Sequence, residues 1–192
     1  MRRLSLCLLA AALPAFAADP FDDYEPVENA LVVAAPAPAR DAADPAVQRG
    51  RYLVNLLGCA SCHTDGALLG APEEARALAG SGVGIAISDP LRVRYPAVVY
   101  PPNLTPDPEA GIGEWPEEDI VRLLLEGMGR HGGRALPVMP WQSYARLTPE
   151  DATAIARYLK RLAPNPHQVP APVAEGEPAP APYVHVGLYQ RR

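Results

Sequence analysis

Cys59-Ala60-Ser61-Cys62-His63 sets two thiols three residues apart and places an imidazole directly after the second. Thiols at that spacing share one face of a helical turn. From there they can add across two vinyl groups of a haem while the adjoining imidazole ligates the iron, the spacing of covalent haem c attachment. Two other chemistries also use C-x-x-C. A tetrahedral zinc site takes four Cys or His ligands, usually from a second close pair, but His131, His167 and His185 stand singly and the one other thiol is Cys7. A dithiol redox pair requires a strand before the motif and a βαβ pattern around it, whereas the segment before Cys59 reads as helix.

That helix begins at Asp44-Pro45, an N-cap followed by a proline at the first helical position, and runs through Val47, Gly50, Leu53, Val54 and Leu57 to Gly58. A second helix is expected from Pro116 to Glu126, with Glu117, Glu118 and Asp119 in its first turn, an apolar run after them, and Gly127 as its stop. Thr148-Pro149 opens a third, in which Ile155, Tyr158, Leu159 and Leu162 form an i, i+3, i+4, i+7 stripe. Between Gly80 and Tyr100, Ile85-Ala86-Ile87 and Val98-Val99-Tyr100 are β-like runs, readable as a small hairpin or as loop.

The first residues indicate export. Arg2-Arg3, the apolar run Leu4 to Leu13 and Ala15-Phe16-Ala17 have the form of a signal peptide, residues 1–17, cleaved near Ala17/Ala18. The expected location is therefore the periplasm. No other stretch approaches the roughly 20 apolar residues a membrane span needs, so the mature chain is expected to lack one. Loss of the leader removes Cys7, which leaves both remaining thiols to the haem motif and none for a disulfide. Arg2 and Arg3 go with it, leaving 15 basic residues against 22 acidic ones, close to −7 before any cofactor. Such a charge argues against nucleic acid as partner and favours steering toward a basic protein surface.

Composition divides the rest into three parts. Residues 18–44 alternate acidic and Pro/Ala-rich pieces and read as an arm. Residues 45–163 have the length of one small domain. Residues 164–192 carry seven prolines, as an extended polyproline-like tail would, and end in Tyr183-Val184-His185-Val186-Gly187-Leu188-Tyr189, whose alternation could form a strand that docks back.

The order of helix, haem motif, loops and final helix resembles the class I cytochrome c fold. The resemblance implies a mainly α domain whose first and last helices cross around one covalent haem, with Gly50 and Tyr158 placed for the small-residue-to-aromatic contact between them. Gly50 has a plainer reading, as a helix-weakening residue in a glycine-rich chain. Three further stretches, Pro102-Asn103-Leu104-Thr105-Pro106-Asp107, Gly111-Ile112-Gly113-Glu114-Trp115 and Met139-Pro140-Trp141 with Tyr144, narrow it. They resemble the haem domains of cytochrome c subunits that serve bacterial periplasmic alcohol, aldehyde and sugar-acid dehydrogenases. Those subunits often carry three haem motifs, and this chain carries one. The resemblance also implies propionate contacts from Asn103 and Trp115, against which stand a turn-forming role for Asn103 and core packing for Trp115.

The sixth iron ligand separates the functional classes. A thioether opposite His63 raises the reduction potential and closes the iron, which suits electron transfer. Met139 lies in a proline-pinned loop before the last helix, where the resembled family carries its methionine. Met128, at a helix end, suits core filling, and His131 or an open iron are the other options. The expected function is a mono-haem electron carrier with redox protein partners, a dehydrogenase or quinol-linked complex on one side and an acceptor on the other. The alternative is a haem enzyme or ligand sensor with an open iron, such as a sulfur-compound oxidoreductase.

Overall fold

The structure is a computed structural model that describes residues 24–27, 35, 37–86, 93–128 and 139–186. The expected leader and most of the expected arm, with Cys7, Ile87 and His131, lie outside the described residues.

The helix α1, Pro45–Leu56, starts where its cap requires: the Asp44 carboxylate accepts from the Ala46 N–H at 2.7 Å, with Pro45 at the first position. The one-turn helix α2, Ala60–His63, follows directly. Two strands come next, β1 (Gly84–Ala86) and β2 (Val98–Val99). Then α3, Glu117–Glu126, carries its three acids at the positive end of the helix dipole. It stops at Gly127, where φ is +67° and the N–H returns to the Leu123 carbonyl. A short helix α4, Trp141–Tyr144, precedes α5, Pro149–Lys160, whose Thr148 hydroxyl accepts from the Asp151 N–H at 3.1 Å. The last element is the strand β3, Tyr183–His185.

The main core lies where α1 meets α5, with α3 packed on α5. α1 buries Val47, Gly50, Leu53 and Val54, and α5 answers with Ala152, Ala154, Ile155, Ala156, Tyr158 and Leu159. A Cβ on Gly50 would lie 1.9 Å from the Ala154 carbonyl oxygen and 2.7 Å from the Tyr158 Cβ. Gly50 is therefore a close-approach residue and not merely a tolerated glycine.

The β-like runs form a sheet in the order β2-β1-β3, β1 antiparallel to β2 and parallel to β3. The hairpin expected between Gly80 and Tyr100 thus has a third strand, from the C-terminal segment. That segment, expected as an extended tail with an end that docks back as a strand, is joined to the domain at several points: Val173 pairs with Val98, Tyr100 donates to the Ala181 carbonyl, and the Gly84 N–H donates to the Pro182 carbonyl. At the other flank, the Ala37 carbonyl accepts from the buried Tyr158 hydroxyl at 2.7 Å, and Ala39 bridges to Leu162.

Candidate functional site

Gly58, with φ at +68°, ends α1 and turns the chain into α2. The Cys59 N–H still reaches back to the Val54 carbonyl at 3.2 Å, and the Cys59 carbonyl accepts from His63 at 3.0 Å. One continuous hydrogen-bonded path therefore fixes the motif to the core helix. Both thiols are free and half-buried, and they face different surroundings. Cys59 joins the helical core, whereas Cys62 packs with Leu68, Val83 and Ile85. Burial pushes the Cys59 thiol up to about 11, and burial raises Cys62 as well. A nucleophilic dithiol needs a depressed pKa, so this environment opposes the redox-pair alternative. The zinc alternative fares no better: among the described residues no group of three or more His, Cys, Asp or Glu side chains is placed to hold a metal ion.

His63 is oriented by a backbone group. Its Nδ1 lies 2.8 Å from the Pro102 carbonyl oxygen, which can only accept, so Nδ1 carries the proton and Nε2 keeps its lone pair. Burial lowers the His63 pKa, the Pro102 bond opposing, and so favours the neutral, ligating imidazole. Two layers of backbone hold the carbonyl in place. The Gly80 N–H donates to the His63 carbonyl at 2.9 Å, the Leu78 N–H to the buried Thr64 hydroxyl at 3.1 Å, and the Leu104 N–H to the Leu78 carbonyl at 2.9 Å. Gly80, with φ at +84°, is obligatory there, since a Cβ would come 2.8 Å from the Asn103 nitrogen and 3.0 Å from the Pro101 oxygen. Such partners of a metal-binding histidine fix its tautomer and direction.

Tyr144 adds a test of whether a cofactor fits. The residue is 7% exposed, and its hydroxyl has no hydrogen-bond partner among the described residues. Burial and the neighbouring Cys59 and Cys62 raise its pKa to about 12. A buried hydroxyl without a partner costs stability unless something else supplies one. Two unlinked thiols, an imidazole with a free Nε2 and this hydroxyl together suit a group such as a haem, combining a metal, apolar surface and polar substituents.

Of the other residues singled out from sequence, Met139 is half-buried and joins the apolar cluster that contains Cys59, Tyr144, Ile112 and Trp115. Met128 is also half-buried, at the end of α3. Trp115 belongs to the same cluster as Met139, and Lys160 holds its loop by donating to the Ile112, Gly113 and Trp115 carbonyls at 3.1, 2.6 and 2.9 Å. Asn103 is placed elsewhere. It is 1% exposed, its Nδ2 donates to the Asn165 and His167 carbonyls at 2.8 and 3.1 Å, and its Oδ1 accepts from the Thr105 N–H and hydroxyl, each at 2.8 Å. Both side-chain N–H groups and both Oδ1 lone pairs are thus committed within the chain. Its Oδ1 closes a turn onto Thr105, two residues on. Pro102, Lys160 and the Tyr144 hydroxyl were not singled out from sequence for these roles. Two of them act through backbone carbonyls, which carry no residue-type signal.

A family model described as cytochrome c matches residues 47–163. The chain is 37% identical over 117 residues to the cytochrome c subunit of a quinone-dependent alcohol dehydrogenase from Gluconobacter oxydans (strain 621H), covering 61% of this chain and 21% of that subunit. It is 36% identical over 124 residues to the fructose dehydrogenase cytochrome subunit of Gluconobacter japonicus, covering 65% and 22% respectively. A diheme cytochrome c-type protein of Cereibacter sphaeroides is 32% identical over 129 residues, 65% of this chain and 40% of that protein. The chain thus spans about a fifth of the length of the two dehydrogenase subunits.

Proposed function

The chain belongs to the cytochrome c family, and on that premise we propose that it is a periplasmic mono-haem electron carrier. One haem c would be held by Cys59 and Cys62, with His63 and Met139 as the residues that would ligate its iron. Haem, when bound, supplies a one-electron Fe(III)/Fe(II) couple. The chain's residues would do the rest: the cysteines anchor the group, the Pro102 carbonyl keeps Nε2 of His63 ready to bind iron, and Trp115, packed in the cluster that contains Cys59 and Met139, contacts a propionate. The arrangement of α1 against α5 through Gly50 supports the class I crossing of first and last helices. Residues 1–17 are the signal peptide, 18–44 the arm, 45–163 the cytochrome domain and 164–192 the C-terminal segment. Electrons come from a dehydrogenase or quinol-linked complex, as the names of the relatives suggest, and pass to a downstream acceptor.

The observation that carries this reading is the tautomer of His63: an unprotonated Nε2 next to two unpaired thiols. The mature protein should have the mass of the cleaved chain plus one haem; a mass without it overturns the proposal. Native reduced protein should scarcely react with carbon monoxide and should show the near-infrared band of methionine-ligated ferric haem. Prompt carbon monoxide binding would favour an open-iron enzyme or sensor instead. Met139→Ala should open the site and lower the potential, and a spectrum left unchanged would move the ligand to Met128.

A further inference from the structure

The segments on either side of the matched residues 47–163 converge on one small sheet. After α5, the Asn165 and His167 carbonyls are held by Asn103, and the His167 Nδ1–H donates to the Ala79 carbonyl at 3.0 Å. Val173 exchanges hydrogen bonds with Val98 at 2.8 and 3.0 Å. The chain then enters β3, where Val184 stands opposite Ile85 and Ile85 opposite Val99. Side chains in one cross-strand row share a face of the sheet. This row packs with Cys62, Leu68 and Val83, while Ala86, Val98 and Tyr183 pack on the other side. From the N-terminal flank, Tyr24 stands edge-on to Tyr183 at 6.4 Å and to His185 at 6.1 Å.

We propose that β3, latched by Tyr24, is a wall of the haem site on the Cys62 side that keeps water from that thioether edge and raises the reduction potential. This rests on haem attachment at Cys59 and Cys62 as proposed above. Ferric haem carries one more positive charge than ferrous haem. Keeping water off its edge therefore disfavours the ferric state. Opening the wall should do the reverse.

The test uses full-length exported holoprotein with Val184→Asn, which puts a polar group in the row without adding charge, and separately Tyr24→Ala, which loosens only the latch. Potentials are read by equilibrium redox titration, and strand opening by amide hydrogen exchange at residues 84–86 and 98–99. Both variants should retain one haem and the parental Soret spectrum, exchange those amides faster, and show a lower potential, with the larger shift in Val184→Asn. Faster exchange at an unchanged potential would overturn the proposal, since the wall would then open without consequence for the haem. Unchanged exchange in both variants would overturn it too, because Val184 and Tyr24 would not be holding the strand. Should Val184→Asn fail to fold, Tyr24→Ala carries the same two readouts. A protein lacking haem by mass would instead defeat the attachment reading, a failure the mass distinguishes from the others.

Discussion

Where α1 meets α5, contact is made by backbone against backbone at Gly50, and every residue involved lies in a helix with its own caps. Where β1 meets β3, contact depends on a strand about 100 residues further along the chain, tied down by discrete hydrogen bonds from Asn103, His167 and Tyr100. The first region is held by shape and can fail only as a whole. The second is held by discrete polar ties across an irregular segment, so it can open locally while the helices stay folded. Cys59 belongs to the first and Cys62 to the second. The two cysteines proposed to anchor the haem are thus supported by regions of different cooperativity.

The sharpest way to break the comparison is Gly50→Ala. Alanine gains about 1 kcal/mol of helix propensity over glycine. Its Cβ, however, meets the Ala154 oxygen at 1.9 Å, a backbone atom with no side-chain torsion to yield. Overpacking of that kind costs about 3 kcal/mol or more and outweighs the gain. The thermal midpoint should fall for every probe at once, and a midpoint at or above the parent would show that the helices can separate cheaply. Asn103→Ala tests the other region. Four hydrogen bonds go with the side chain. The carbonyls of Asn165 and His167 can turn to water, which limits the cost to about 2 kcal/mol. Hydrogen exchange should accelerate in residues 165–185 far more than in α1 or α5; equal acceleration in both would merge the two regions into one cooperative unit.

The same division decides what could be read from sequence. The helices were legible because caps and stops are local: Asp44-Pro45, Thr148-Pro149, and Gly127 after three acids each mark a boundary within a few residues. The strands were visible as apolar runs, but β1's parallel partner was not, since no short-range pattern links Ile85 to Val184. The proline-rich composition of 164–192 argued for an extended tail and its final alternation for a strand that docks back, but neither carries a record of carbonyls held by Asn103. Within the site, Cys59, Cys62 and His63 are announced by spacing alone. The Pro102 carbonyl that sets the His63 tautomer and the Lys160 ammonium that holds three loop carbonyls are invisible to residue type, because their partners are backbone atoms. Asn103 is ambiguous in sequence for a related reason: an amide can serve a ligand or a turn, and residue type does not say which.

Tyr158→Phe sharpens the comparison at the boundary between helix and flank. The ring stays in the core beside Gly50, so helix packing is kept, while the hydroxyl's bond to the buried Ala37 carbonyl is lost. The expected cost is about 1 kcal/mol. Exchange should quicken at Ala39 and Arg40, which pair with Leu162 and Arg161. A loss as large as that of Gly50→Ala would mean the flank belongs to the cooperative core.

The smallest expected effect lies on the surface of the helical region, where Arg49 grips Asp151 through two hydrogen bonds of 2.8 and 3.0 Å. The bond from Arg49 lowers the Asp151 pKa, burial opposing it and the Arg49 charge adding to it. A carboxylate held below its ordinary pKa stabilises the fold fully above that ordinary value and loses the contribution as pH falls through the lowered one. Arg49→Gln should therefore cost a little stability at neutral pH, less in high salt. The gap to the parent should narrow below the usual carboxylate range. It need not close, because Arg49 also lies over the Tyr52 ring at 5.5 Å, a contact that acid leaves intact. A gap that stayed constant from neutral pH into acid would assign the whole effect to Tyr52 and leave Gly50, without help from charge, to hold α1 on α5.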